Sequence, residues 1–307
     1  MGAGGATHVT STPEEGFSMQ PDASEILRSS SDADELEWVA VALARSPDAE
    51  AHQQLRSALS SASFRDRLDA PETLLGPRGD LNLANVIGAL SNNLAPSARR
   101  VLHALCLDQH FSAPWARAEL LIEALIEVRP AEDAGVEFWD KHCQPKDGFA
   151  HLTTRALAEN GSDPAIKLLE EKLADARFPD DDRIYWMRTR ILTHRDNASL
   201  LAACERLIRE RLEGRLRIAL IETLFDYRPT EWHGPSTSYA APAWSTVRGD
   251  ARARLVGLGK FLLEEGGLDP RTDSAVRQTL EQLGVAAIRR GADNTPRARA
   301  TDGGDAP

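Results

Sequence analysis

The sequence predicts an all-α protein, an irregular α-solenoid in which antiparallel helical hairpins stack one on the next. Three observations carry that expectation. Apolar residues recur at three- and four-residue spacing from about residue 31 to 290, and no run of alternating β-branched residues interrupts them. The segments are short and cut by Pro, Gly, Asn or Asp, so each helix turns back on its predecessor. One nonapeptide also occurs twice: IEALIEVRP, Ile122 to Pro130, matches IETLFDYRP, Ile221 to Pro229, at Ile, Glu, Leu, Arg and Pro, with Asp226 the chemical equivalent of Glu127. Such self-similarity marks a repeat unit that cannot bury its apolar face alone and must stack on neighbours.

Residues 1–21 are rich in Gly, Ser, Thr and Glu, with little to bury, and read as a disordered tail before a solenoid over 22–290. The first helix is predicted over Ser31 to Arg45, with Ser31 as its cap, Asp34 in the capping-box position and Pro47 as its stop. Its apolar face is Leu36, Val39, Val41 and Leu43. A broken helix over 48–69 leads into the loop APETLLGPRGD, and helices over 82–91, 95–109 and 115–128 are separated by NNLAP and HFSAP. Further helices are predicted over 131–142, 147–160, 163–175, 181–195, 197–211 and 214–227. After a long loop at 228–248 come helices over 249–265 and 272–289, then a second polar tail at 291–307. These segments make about six hairpins.

Within them, GSDPAIKLLEEKLAD at Gly161 to Asp175 joins a Gly-Asp-Pro turn to a Leu-Leu-x-x-x-Leu face. EGRLRIALIETL at Glu213 to Leu224 places an acidic turn residue before Arg and then apolar residues three and seven positions on. Both stretches resemble HEAT-type repeat helices, and PSARRVLHALCL and DARARLVGLGKF are similar but looser. The resemblance covers roughly residues 31–290, with irregular spacing that leaves a tetratricopeptide-like pairing open. It implies a curved binding scaffold more often than an enzyme. Two other families with HEAT-like solenoids supply alternatives: bilin lyases, which hold a small molecule in the groove, and alkylation-repair DNA glycosylases, which use aromatic and acidic residues in a basic channel.

The charge balance weighs against the last of these. With 47 acidic against 36 basic residues and a net charge of -11, the bulk field repels phosphate backbones, so nucleic acid is not an expected partner. Cys106, Cys143 and Cys204 are few, odd in number and far apart, which fits reduced thiols in a cytoplasmic protein. The longest apolar run, WVAVALA at Trp38 to Ala44, is too short to span a bilayer. No basic segment followed by an apolar one opens the chain, and MGAGGA has Ala6 where a myristoylation site wants Ser or Thr.

Two constellations carry ligand or nucleophile types. His103, Cys106 and His110 share a helix face with chemistry suited to zinc, yet Cys106 sits among Val101, Leu102 and Leu105 and no fourth ligand accompanies it, so a core role is expected. Trp139, Asp140, His142, Cys143 and His151 include a thiol and bases, but adjacent helical residues point about 100° apart, so His142 does not face Cys143. No serine-nucleophile elbow, phosphate-binding loop or zinc-protease motif occurs. No catalytic residue, metal or cofactor is therefore expected.

The expected function is binding. Glu119, Glu123 and Glu127 form an i, i+4, i+8 stripe, and Glu222 and Asp226 recur at equivalent points of the later copy, so an acidic surface is predicted to hold a partner protein with a basic surface. TEWHGPSTSYAAPAW, beginning at Thr230, is longer than a usual connection between stacked helices. Pro229, Pro235 and Pro242 stiffen it, while Trp232, Tyr239 and Trp244 give it apolar area. The loop is either a buckle packed onto its own protein or a recognition lip. Trp244 is expected to be buried, and Trp232, His233 and Tyr239 are expected to reach a partner.

Overall fold

The computed structural model describes residues 23–68, 79–112, 115–146, 148–226 and 246–285. Both predicted tails, and Trp232, His233, Tyr239 and Trp244 of the long loop, lie outside these residues. Among the described residues all regular structure is helical, and no helix is long and apolar enough to cross a membrane. The chain divides into two compact units, one ending at Leu121 and the other beginning at Ile122.

The first unit holds α1 (Ala23–Ser29), α2 (Ala33–Arg45), α3 (Ala49–Ser60), α4 (Ala62–Leu68), α5 (Gly79–Ser91), α6 (Pro96–Leu107), α7 (Gln109–Ser112) and most of α8 (Trp115–Ala124). The helix predicted from Ser31 is capped one residue later: the Asp32 carboxylate accepts from the backbone N–H groups of Asp34 at 3.0 Å and Glu35 at 3.4 Å. A carboxylate satisfies the same free donors as a serine hydroxyl and adds a charge favourable to the helix N-terminus. Leu36, Val39, Ala40 and Leu43 face inward, whereas Val41 is only half-buried, because the helical period carries it off that stripe. α2 packs on α3 and α5, and α6 packs on α3 and α5.

A partly buried polar network ties these four helices together. The Asn93 amide donates to the carbonyls of Ala44 and Ser46, both at 2.8 Å, and meets His52 Nε2 at 3.2 Å. An amide nitrogen only donates, so His52 accepts at Nε2 and carries its proton on Nδ1, which lies 2.7 Å from Ser97 Oγ. Arg67 reaches back from α4 to the Leu27 carbonyl at 2.7 Å and to that of Ser30, closing the end of α1.

In the second unit the end of α8 tightens into a 3-10 turn, Leu125–Glu127. There follow α9 (Asp133–His142), α10 (Ala150–Asn160), α11 (Asp163–Ala174), α12 (Asp180–Trp186), α13 (Ala198–Arg206), α14 (Gly214–Phe225), α15 (Gly249–Glu265) and α16 (Pro270–Gln282). Two of the predicted helices widen at their ends: α12 runs on through a π turn at Met187–Ile191, and α13 through another at Leu207–Arg211. Elements two apart in the chain are neighbours in space. α9 packs on α11, α11 on α13 and α13 on α15; the 3-10 turn packs on α10, α10 on α12 and its π turn, these on α14, and α14 on α16. Trp139, Trp186, Leu169, Ile191, Cys204, Leu220 and Leu224 are fully buried.

The turn between α10 and α11 is held by the start of α13. Gly161 ends α10 at φ 67°, in the left-handed region where glycine is preferred. Its carbonyl accepts from the Asn197 amide at 3.0 Å, and a Cβ placed on Gly161 would sit 2.8 Å from that amide nitrogen. Asn197 Oδ1 in turn caps α13 through the N–H groups of Ser199 and Leu200.

Candidate interaction surface

The predicted acidic positions fall on helix ends and outward faces. Glu119 is half-buried on the part of α8 that belongs to the first unit. Glu123 is exposed and pairs with Arg155 of α10 at 2.8 Å; Glu127 is exposed on the 3-10 turn. In the later copy, Glu222 lies 3.6 Å from Arg188 on the π turn after α12. Asp226 accepts from Arg271 Nε of α16 at 2.7 Å, with only 8% of its side chain exposed. Three of the five acids therefore meet an arginine from a packed neighbouring element. Sequence reading could not place those arginines, which lie between 32 and 45 residues away in the first and last pairs.

The thiols are core groups. Burial pushes Cys106 up to about 12, and Cys204 higher still, first by burial and then by the charge of Glu170. Neither is a thiolate at neutral pH. Cys143 is fully buried, and the His142 ring packs against Phe138 and Phe149, with centroids 4.6 and 5.5 Å away. Among the described residues no group of three His, Cys, Asp or Glu is placed to hold a metal ion.

His151 belongs to a different group of residues from the one its sequence neighbours suggested. It lies in the first turn of α10, is exposed, and its Nδ1 accepts from the indole N–H of the fully buried Trp186 at 2.7 Å. Indole nitrogen only donates, so His151 is held as the tautomer that carries its proton on Nε2. The Tyr185 ring stands edge-to-face against it, with centroids 5.4 Å apart and planes at 89°, and the tyrosine is 46% exposed. Behind them the Arg190 guanidinium lies 5.9 Å from the Tyr185 centroid and donates to the His151 carbonyl at 3.2 Å. Phe178 closes the other side of Trp186, with centroids 5.0 Å apart.

Sequence reasoning missed this set. Its members come from two helices, and Tyr185 and Arg190 share a side only with the help of the π turn at Met187–Ile191. The adjacent pair Tyr185-Trp186 was the available signal: neighbours on a helix point apart, so one aromatic ring buries while the other emerges.

Clefts open in both units. One of about 670 Å³ in the first unit is lined by Leu27, Gln53, Gln54, Ser57, Phe64 and Arg67. One of about 340 Å³ in the second unit is lined by Arg217, Ile218, Ile221, Leu268, Asp269 and Thr272. No protein-family model, curated protein or solved structure matches this chain.

Proposed function

We propose that this protein is a non-catalytic interaction scaffold, a HEAT-like α-solenoid that holds another protein on its surface. The observation that supports this most is the packing of the second unit, where helices two apart in the chain are neighbours. In such a stack, outward positions of successive hairpins align, and a few side chains per hairpin suffice to build an extended docking surface. The buried thiols, with their raised pKa values, favour binding over nucleophilic chemistry.

The partner presents a basic surface to Glu119, Glu123 and Glu127, with Glu222 behind them and Trp232, His233 and Tyr239 as aromatic contacts, while Asp226, expected in the same row, is engaged by Arg271. The test is capture by the full-length chain followed by mass spectrometry, repeated with Glu119→Lys, Glu123→Lys and Glu127→Lys combined. A basic protein should be retained by the parent and lost by about tenfold in the triple variant, whose melting temperature stays close to the parent's. Recovery of a small molecule or of DNA in place of a protein would overturn the scaffold reading. Capture unchanged by the triple substitution would move the docking surface elsewhere.

A further inference from the structure

The cleft of about 670 Å³ in the first unit follows one face of α3. Glu50, Gln53, Gln54, Ser57 and Ser61 line it at steps of three and four residues, the period of a single helical face. At a rise of about 1.5 Å per residue, that face is about 16 Å long, the span of about five extended residues. Opposite it stand α1 and α4, whose buried Leu27 and Phe64 supply the apolar part of the lining. The polar part is unspent. No hydrogen bond or ion pair engages the side chains of Arg28, Glu50, Gln53, Gln54 or Ser57.

Charge selects what fills the groove. Arg67 donates to the carbonyls of Leu27 at 2.7 Å, of Ser30, and of Ser63 at 3.1 Å; these are neutral acceptors, so its charge meets no carboxylate and N–H donors are left over. Leu27 and Ser30 flank Arg28 in the chain, which brings both cations to the α1 side of the groove. Among the described residues Glu50 is the one acid of the lining; Glu25 and Asp66, on α1 and α4, and Asp32 and Glu35, at the start of α2, are not part of it. Two cations against one acid favour an anionic group. The amides and hydroxyls along α3 suit the backbone N–H and C=O groups of an extended chain, which have no partners of their own. We infer that this groove holds an extended segment of a partner protein, about five residues long, in which an apolar side chain covers Leu27 and Phe64 and an adjacent acidic one meets Arg28 and Arg67. The inference rests on the scaffold reading only in taking a protein as ligand, and it shares no residue with the acidic positions.

The test uses the full-length, ¹⁵N-labelled protein. The peptide Ser-Ser-Leu-Glu-Ser, capped at both ends, is titrated beside a twin with Gln for Glu and another with Ser for Leu, and inorganic phosphate is titrated separately. The readouts are the side-chain NH₂ signals of Gln53 and Gln54, assigned with Gln53→Ala and Gln54→Ala. The Leu-Glu peptide should shift both signals saturably. The Gln twin should bind about tenfold more weakly, the loss expected for one charge-assisted hydrogen bond, and the Ser twin weaker by a similar factor for the apolar area it leaves uncovered. Arg28→Gln, at an exposed site, should bind the Leu-Glu peptide as weakly as the parent binds the Gln twin while melting like the parent. Ser57→Phe should block the groove and remove binding. The combined Glu119→Lys, Glu123→Lys and Glu127→Lys variant should bind the peptide like the parent, so the groove and the acidic surface fail separately. Equal binding of the Glu and Gln peptides, Arg28→Gln binding like the parent, phosphate shifting the same signals as strongly, or no saturable shift with any peptide would overturn the groove and leave the acidic-surface reading standing.

Discussion

Over Ile122–Glu127 and Ile221–Asp226, the two copies of the repeated motif bury the same positions and end their helices differently. Ile122 and Ile221, Leu125 and Leu224, Ile126 and Phe225 are all buried. In the first copy the helix tightens into its 3-10 turn, and the carbonyls of Leu125, Ile126 and Val128 all accept from the buried Asn160 amide, at 3.3, 3.0 and 2.9 Å. In the second the α-helix runs to Phe225, whose carbonyl accepts from the Thr279 hydroxyl at 3.3 Å. The last carbonyls of any helix lack partners within it. The repeated residues therefore set which side chains point inward, while the helix stacked next to each copy decides how its end is satisfied.

That comparison makes a ranked set of expectations. Asn160→Leu removes both amide donors from a site 2% exposed and leaves three carbonyls competing for nothing. It should destabilise the protein by about 3 kcal/mol, read from chemical denaturation with an unchanged slope. A loss under about 1 kcal/mol would mean that water reaches these carbonyls, and the contrast between the copies would fall.

Thr279→Val keeps the side-chain shape and removes one hydroxyl, so its expected cost is about 1 kcal/mol. Because the two residues sit in different helices, α10 and α16, and their hydrogen bonds go to different groups, the double variant should show nearly additive losses. A cost for Thr279→Val equal to that of Asn160→Leu would show that the second copy depends on its neighbour as heavily as the first.

The same division explains what could be read from the chain alone. The helix expected over 249–265 is α15, Gly249–Glu265, and that expected over 163–175 is α11, Asp163–Ala174, because spacing and flanking Gly or Pro act within a few residues. The short α1 escaped notice, since seven residues with two buried side chains give almost no periodic signal. The π turns escaped as well, because they depend on packing against other helices. At the candidate surface the acids were legible as a stripe, but Arg155, Arg188 and Arg271 were not, and neither was the bond between Trp186 and His151, 35 residues apart. Contacts at that separation leave no local pattern in a single sequence.

The smallest effect is expected at Glu123. Its pair with Arg155 is as short as the Asp226–Arg271 pair, 2.8 against 2.7 Å, yet 45% of the Glu123 side chain is exposed against 8% for Asp226. An exposed pair gains little from attraction through water and costs rotamer freedom in two long side chains, so Glu123→Gln should change stability by no more than about 0.5 kcal/mol. The difference should vanish in 1 M salt, where the screening length is about 3 Å. A loss above about 1 kcal/mol, or one insensitive to salt, would make Glu123 a structural anchor like its buried counterpart and remove it from any binding surface. A near-zero result would leave the first copy's acids free of a folding role. Their charge would then be available to a partner, whereas the buried Asp226 stays committed to holding α16 against the end of α14.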